Sequence, residues 1–165
     1  MIACLDVDYR EPAAYAAGLA FRTWSDATPA TEKVIPVVGV HPYQPGQFFR
    51  RELPCLLAVL RELPPVAVVV VDGYIWLDGV SVAGLGAHLY HALAGKVAVI
   101  GVAKTSFAGA GAAVEVVRGR STRPLFITAV GMSAQSAAEH VRSMHSPDRI
   151  PTLLKRVDLL CRQAG

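Results

Sequence analysis

The sequence has few cysteines and no long apolar run. Its three cysteines, Cys4, Cys55 and Cys161, are an odd number without CxxC spacing, which excludes a disulfide framework and a zinc knuckle. No apolar run reaches the ~18 residues that a membrane-spanning helix needs. The first ten residues, MIACLDVDYR, lack the basic and apolar regions of a signal peptide. We therefore expect a cytoplasmic protein in a reducing compartment that does not bind membranes.

Charged residues are also sparse. They make up 18% of the chain against 53% hydrophobic residues, which excludes a disordered protein. At 165 residues, the chain is expected to form one domain over residues 1–165. The net charge of +3 is uneven, because residues 118–165 carry eight Lys or Arg against three Asp or Glu. This basic segment suits contact with phosphates, although a solvated surface also explains it.

The hydrophobic pattern predicts an α/β fold. Short apolar segments predict strands, and longer segments with helical periodicity predict helices. The first three strands follow one another through short polar links and predict an antiparallel meander, whereas the later alternation of helices and strands predicts parallel crossovers. The result is a mixed sheet with helices on both faces. The strands are expected at 2–9, 14–24, 34–40, 66–72, 97–103, 112–117 and 124–130, and the helices at 46–62, 81–94, 133–144 and 151–163.

Three acidic residues lie where apolar residues would be expected. Asp6 interrupts the first apolar strand, and Glu52 borders the apolar stripe of the first helix. Asp72 ends the strand of residues 66–71, at the edge of the sheet where ligands bind in open α/β folds. Lys104 follows the next parallel strand and is expected at the same edge.

Each residue also has a purely structural interpretation. Asp72 can cap a turn, Asp6 can pair with an arginine, and Glu52 can reach the solvent. Taken together, however, three carboxylates repel one another unless a cation neutralises them. An oxygen-rich site of this kind suits Mg²⁺. Beside it, Lys104 would bind a phosphate, whereas alone it is an exposed loop lysine.

Six short motifs, in order, resemble those of the endonuclease V family of deoxyinosine 3′-endonucleases. The family words are D-x-S-Y, P-Y-I-P-G…F-R-E, V-D-G-H-G, G-L-A-S-H-L, G-V-A-K-S and K-P-V-F-I-S-x-G-H. The tail Arg149-Ile150-Pro151, with Asp158 downstream, also resembles the family's R-L-P-E-P-T-R-x-A-D. The matching segments here are DVDY (6–9), PYQPGQFFRRE (42–52), VDGYI (71–75), GLGAHL (84–89), GVAKT (101–105) and RPLFITAVGM (123–132).

The resemblance implies an RNase H-like fold and a nuclease that cleaves nucleic acid, DNA or RNA, near deaminated bases such as inosine, in DNA repair or RNA processing. It implies Mg²⁺, with Mn²⁺ as a substitute, held by Asp6, Glu52 and Asp72, and it assigns Lys104 to the scissile phosphate.

The resemblance also implies substrate contacts. Tyr43, between Pro42 and Pro45, matches the family's wedge at the deaminated base, and Gly73 follows the metal-binding Asp in the D-G motif. For contacts with the nucleic-acid backbone we choose three arginines of the basic segment: Arg118, Arg120 and Arg123.

Two departures from the family motifs predict an impaired enzyme. Met132 replaces the histidine of the G-H motif, and methionine cannot bind a hard ion as an imidazole does. Ile75 replaces the second glycine of D-G-H-G, which implies an altered base pocket. Two alternatives to a nuclease therefore stay open. One is a nucleic-acid-binding module without turnover, and the other is a protein-interaction module that uses the apolar segment 74–82.

Overall fold

The computed structural model describes residues 1–45, 47–78, 82–109 and 111–165, and only the backbone of Phe48. The predicted starts of two helices, at Gly46 and Ser81, lie outside the described residues, as does part of the apolar segment 74–82. No helix among the described residues has the length and apolarity that crossing a membrane requires.

Seven strands and four helices make up the described part of the chain. The predicted element types are confirmed throughout. In chain order they are β1 (Ile2–Arg10), β2 (Ala13–Phe21), β3 (Thr31–Val38), α1 (Phe48–Leu60), β4 (Val68–Asp72), α2 (Leu85–Ala92), β5 (Ala98–Ala103), β6 (Val114–Val116), β7 (Leu125–Val130), α3 (Ala134–Ser143) and α4 (Thr152–Gln163).

The end of β2 differs from the sequence prediction for a local reason. The apolar pattern continues to Trp24, but the strand ends at Phe21. The Asp26 carboxylate accepts hydrogen bonds from the backbone N–H groups of Arg22 (3.0 Å) and Thr23 (3.1 Å). A side chain that satisfies these donors turns the chain away from the strand ladder.

All seven strands form one mixed sheet in the order β3-β2-β1-β4-β5-β7-β6. The strands β1, β4 and β5 are parallel to one another, and every other pairing is antiparallel. This arrangement confirms the predicted meander and the predicted parallel crossovers. The carboxyl ends of β1, β4 and β5 therefore meet at one edge of the sheet, which we call the carboxyl edge.

Helices cover both faces of the sheet, as predicted. The side chains of β1 alternate between two apolar clusters. Ala3 and Leu5 pack on the side of α1 and α2, whereas Ile2 and Cys4 pack on the side of α3 and α4. Each cluster buries one face of the sheet. The polar side chains at the carboxyl edge thus lie between two layers of helices.

Candidate active site

The pairing register brings Asp6 and Asp72 side by side. Each lies two residues past Cys4 and Val70, the last pair that joins β1 to β4. Lys104 lies two residues past the β5 partner of Asp72. Because strand side chains alternate, these three positions share the side of the sheet that faces α4.

A cleft of ≈ 560 Å³ opens at this edge. Carboxylates from four elements line it: Asp6 and Asp8 of β1, Glu52 of α1, Asp72 of β4 and Asp158 of α4. Lys104, just after β5, also lines it. The structure therefore brings together the four residues that the sequence singles out for chemistry, and it adds Asp158.

The Asp6 carboxyl holds its proton more tightly than an ordinary aspartate does. Burial and repulsion by Asp158 and Asp72 raise its pKa to about 6, although the Val7 N–H donates to it at 2.9 Å. Burial is the largest of these causes. A carboxyl in this position gains stability from a cation placed among the three acids.

Glu52 is 8% exposed, and its carboxylate faces the same acids from the opposite helix layer. Burial, followed by repulsion from Asp6 and Asp72, raises its pKa to about 8, and Arg51 offsets only part of this. Among the described residues, its Oε2 atom is buried without a hydrogen-bond partner. Such an atom is costly unless a ligand satisfies it.

Asp158 brings a further carboxylate to the site from the last helix. Its carboxylate oxygen, one from Asp6 and the Cys161 sulfur all lie within 4.8 Å of one another. Asp158 and Cys161 share a helix face because they are three residues apart. The sequence shows Asp158 only as part of a tail motif, and neither residue is singled out there as a site residue, because their proximity to β1 depends on how α4 packs.

Lys104 and Asp72 form an ion pair of 4.0 Å, in which both side chains are half exposed. An exposed pair of this length contributes little to stability. Arg149 holds the surrounding loops, since its guanidinium donates to the backbone carbonyls of Lys104, Arg123 (3.0 Å) and Pro124 (2.8 Å). From the sequence, Arg149 is visible only as the first residue of the tail motif and not as a site residue.

Two glycines allow the chain to turn closely behind Asp72. Gly73 has a φ of +97°, a conformation that residues with a Cβ rarely adopt. Gly101 lies beneath it, and a Cβ at that position would collide with the Gly73 carbonyl oxygen and lie 2.8 Å from the Thr128 hydroxyl oxygen. Gly73 lines the cleft, so backbone there is accessible to a ligand.

Tyr43 lies on an exposed loop beside the cleft. Its side chain is 60% exposed, and Pro42 and Pro45 are exposed on either side. Tyr43 lines a separate hollow of ≈ 380 Å³ together with Tyr9, which also lines the carboxylate cleft. The Arg51 guanidinium stacks on the Tyr9 ring at 3.8 Å. The structure therefore places Tyr43 near the site without including it in the carboxylate cleft.

The three arginines chosen for backbone contacts have different environments. Arg120 and Arg123 are exposed. Arg118 is 6% exposed, and its guanidinium donates to the carbonyls of Met144, Asp148 (2.9 Å) and Arg149 (3.0 Å). The predicted phosphate contact at Arg118 is therefore wrong, because the residue is buried and both terminal nitrogens of its guanidinium already donate to backbone carbonyls.

The donor set at the cleft fits a hard divalent cation. Carboxylate oxygens are the ligands that Mg²⁺ and Mn²⁺ prefer. A cation would satisfy the buried Glu52 Oε2 atom, which has no partner in the described part of the chain, and would offset the repulsion that raises the pKa values of Asp6 and Glu52.

Comparison with known proteins shows which family this chain resembles. The family model for endonuclease V matches residues 1–137. An endonuclease V of Streptomyces coelicolor is 35% identical over an aligned length of 146, covering 74% of this chain and 60% of that protein. The endonuclease V of Streptomyces avermitilis is 34% identical over an aligned length of 148, covering 74% of this chain and 62% of that protein. This chain belongs to the endonuclease V family. It spans about 60% of the length of these curated relatives.

Solved endonuclease V structures share the RNase H-like fold. The crystal structure of the Streptomyces avermitilis endonuclease V aligns with a TM-score of 0.77 and 26% identity, over 98% of this chain and 79% of that one. The Ciona intestinalis endonuclease V was solved with a DNA that contains an inosine followed by a ribo-adenosine. It aligns with a TM-score of 0.73 and 18% identity, over 98% of this chain and 84% of that one. The predicted RNase H-like mixed sheet is thus confirmed.

Met132 lies far from the endonuclease V cleft. It follows β7, which runs antiparallel to β5 with Val130 opposite Val99, near the amino end of β5. Its side chain is partly buried against the apolar cluster under α3 and α4. The expectation that Met132 weakens the metal site is therefore wrong, because the residue lies at the opposite edge of the sheet.

Ile75 is also a core residue. Its side chain is fully buried against α2, where a Cβ on Gly86 would collide with it. Its N–H donates to the Thr128 hydroxyl at 3.0 Å. The Ile75 side chain therefore does not line the carboxylate cleft, and its effect on a base pocket stays a prediction. Tyr74 lines the cleft instead.

Proposed function

We propose that this chain is a divalent-metal-dependent endonuclease that hydrolyses phosphodiester bonds of nucleic acid near deaminated bases such as inosine. Its membership of the endonuclease V family supports the reaction class. The observation that carries the proposal is the buried Oε2 atom of Glu52, which has no hydrogen-bond partner among the described residues and lies in the cleft with Asp6, Asp72 and the cationic Lys104.

The proposed metal ligands are Asp6, Glu52 and Asp72, and Asp158 is a further candidate from its position. Mg²⁺, with Mn²⁺ as a substitute, would supply activation of the attacking water and stabilisation of the leaving 3′ oxygen. Because the acids come from four different elements, they can surround a ligand instead of lying along one side of it. Preorganised carboxylates of this kind avoid reorganisation when the substrate binds.

Lys104 is the proposed phosphate ligand. Its ammonium faces the cleft within 4.0 Å of Asp72, so an incoming phosphate can bind it without a large movement. Arg149 holds the Lys104 carbonyl and thereby keeps this loop close to the carboxylates. At Gly73 the backbone can approach a substrate closely, because no side chain intervenes.

The remaining proposed contacts lie around the rim. Tyr43 stacks on a base displaced from the duplex or takes the place that this base leaves. Its exposed ring between two prolines supports this role. Arg120 and Arg123 contact backbone phosphates, supported by their exposure on the carboxyl-edge side of β7.

We also propose that residues 1–165 form one endonuclease V-like domain, since a single sheet connects every strand. The three cysteines are buried and free, which supports the reducing, cytoplasmic environment that we propose.

Cleavage assays test this function. Matched DNA and RNA oligonucleotides with inosine or adenine at one position would be incubated with Mg²⁺, Mn²⁺ or EDTA. We expect metal-dependent cleavage near inosine that disappears with EDTA and with the Asp6→Asn variant, whereas Glu62→Gln, at an exposed position after α1, cleaves normally. Binding of nucleic acid without cleavage in either metal would contradict the nuclease and support a binding module.

A further inference from the structure

The cleft contains a sulfur atom, a type of ligand that Mg²⁺ does not use. Cys161 places its sulfur within 4.8 Å of carboxylate oxygens of Asp6 and Asp158. Hard cations prefer oxygen ligands to thiols, whereas Zn²⁺ and Cd²⁺ bind thiolate readily. The sulfur therefore adds nothing to the proposed magnesium chemistry, but it changes which other cations this cleft can hold.

The geometry is close to that of a zinc site. Tetrahedral Zn²⁺ has bonds of ~2.0 Å to oxygen and ~2.3 Å to sulfur, which separates its ligand atoms by roughly 3.3–3.7 Å. The three atoms here are within 4.8 Å, so closure needs a shift of about 1 Å, which side-chain rotation supplies. Asp158 and Cys161 lie on one face of α4 and need no rearrangement of the backbone.

A second observation points to a ligand at the same place. Glu52 is 8% exposed, lines this cleft, and has a buried Oε2 atom with no hydrogen-bond partner among the described residues. It faces Asp6 closely enough that repulsion from the Asp6 carboxylate, after burial, contributes to the raised pKa of Glu52. A divalent cation at Asp6 would neutralise that repulsion, and Glu52 or a water completes four ligands.

The charged neighbours do not prevent cation binding. Arg162 donates to Asp158 at 2.8 Å, but its side chain is 64% exposed and can swing into the solvent. Such an exposed helical pair contributes little to stability. Arg10 is occupied by Asp8 at 2.9 Å and by two backbone carbonyls, including that of Cys161.

We propose that Asp6, Asp158 and Cys161 form a binding site for a thiophilic divalent cation, Zn²⁺ in particular, whose occupancy excludes the catalytic metal. The inhibitory part of this proposal rests on the proposed nuclease function, whereas the binding part does not. Asp6 is shared by the two metals, so they compete.

Direct metal binding tests the site. The full chain would be titrated with ZnCl₂ in competition with a chromophoric chelator, and with Cd²⁺ while the sulfur-to-cadmium charge-transfer absorption in the ultraviolet is recorded. Cys55→Ser is the matched control, because Cys55 is also a buried helical thiol that donates to a backbone carbonyl, at 3.5 Å. Since even an indirect partner of a metal ligand is worth about 10–100-fold in affinity, we expect Cys161→Ser to weaken Zn²⁺ binding at least tenfold.

The outcomes are separable. Wild type and Cys55→Ser should show the cadmium absorption and tight Zn²⁺ binding, with Mg²⁺ affinity unchanged in Cys161→Ser. Equal Zn²⁺ affinity in wild type and Cys161→Ser, or no cadmium absorption in the wild type, would overturn the proposal. If circular dichroism shows that Cys161→Ser is unfolded, Cys161→Ala and Asp158→Asn replace it, with the same expected loss.

Inhibition is measured separately from binding. Micromolar Zn²⁺ should suppress Mg²⁺-dependent cleavage by wild type and Cys55→Ser at least tenfold more effectively than cleavage by Cys161→Ser. Equal inhibition of all three would overturn the inhibitory role. If no variant cleaves in Mg²⁺, the proposed nuclease fails, while the Zn²⁺ titration still decides the site.

Discussion

Glu52 occupies a position on α1 where an apolar side chain would pack, and it keeps a carboxylate there. Its side chain is 8% exposed, one carboxylate oxygen has no partner within the described part of the chain, and two further acids face it. A residue of this kind destabilises the metal-free fold unless its ionised form has a ligand. At the scale of single residues, the proposed role of Glu52 therefore lowers the stability of the metal-free protein.

Glu52→Gln should stabilise the metal-free protein at alkaline pH. The folded pKa of Glu52 is raised from 4.5 to about 8, so the folded state binds the proton more tightly than the unfolded state, and stability falls as pH rises between these values. The melting temperature of Glu52→Gln should exceed that of wild type at pH 8 and match it at pH 4.5. Thermal melts in EDTA at both values measure this, with Glu62→Gln as the control. If the melting temperatures of Glu52→Gln and wild type differ equally at both pH values, the raised pKa of Glu52 is contradicted.

Asp72→Ala should abolish metal-dependent cleavage without unfolding the protein. Asp72 is exposed, and its pairing with Lys104 at 4.0 Å contributes little. We expect cleavage at the level seen with EDTA, and a change in unfolding free energy within about 0.5 kcal/mol. Single-turnover assays and urea melts in metal-free buffer provide the two readouts. A sharp loss of stability would instead identify Asp72 as a structural cap.

At the scale of elements, two arginines, Arg118 and Arg149, connect the loops around the cleft. The Arg118 guanidinium, after β6, donates to carbonyls at the end of α3 and in the segment before α4. Arg149 does the same for the loops that follow β5 and precede β7. The position of α4, and hence of Asp158, depends on these contacts as well as on the apolar face of that helix.

A matched pair of variants separates structural from substrate-binding arginines. Arg118→Met leaves three backbone carbonyls without their donor, and each unsatisfied buried group costs about 1–3 kcal/mol. We expect a loss of at least about 2 kcal/mol in unfolding free energy. Arg120→Met, at an exposed position, should keep its stability and weaken nucleic-acid binding, with a shallower dependence of affinity on salt. Denaturant melts and binding isotherms at several salt concentrations measure both.

The Arg118 and Arg120 assignments can fail independently. Unchanged stability of Arg118→Met would contradict the structural role of Arg118. Unchanged affinity of Arg120→Met would contradict its phosphate contact.

At the scale of the whole molecule, strand direction decides which motifs belong to the site. The parallel strands β1, β4 and β5 deliver their carboxyl ends to one edge. Because β7 runs antiparallel to β5, its start lies at this edge and its end lies at the other. Residues at the two ends of β7 are therefore separated by the length of the sheet.

Met132→His should leave the cleavage rate unchanged within about twofold, because Met132 follows the far end of β7. A buried or half-buried imidazole replaces an apolar side chain that packs against the core, so the melting temperature should fall. Single-turnover rates with Mg²⁺ and thermal melts test both effects. A rate increase of tenfold or more would show that this position does reach the cleft.

The sequence by itself determined the helices and strands and most of the candidate site residues. The apolar runs of β1 and β4 and the apolar stripe of α1 are local patterns, and the acids Asp6, Asp72 and Glu52 stand out against them by residue type alone. The parallel order of the central strands follows from the helices between them. For these reasons the mixed sheet could be predicted, and with it the edge where the predicted carboxylates and Lys104 meet.

Only the tertiary structure decided the remaining parts of the site. Asp158 and Cys161 reach Asp6 through the packing of α4, 152 to 155 residues away along the chain, which no local pattern encodes. The buried position of Arg118 and the remote position of Met132 depend on the loop carbonyls and on the direction of β7. Sequence motifs name residue types in order along the chain. Long-range packing and strand direction determine which of them share one cleft.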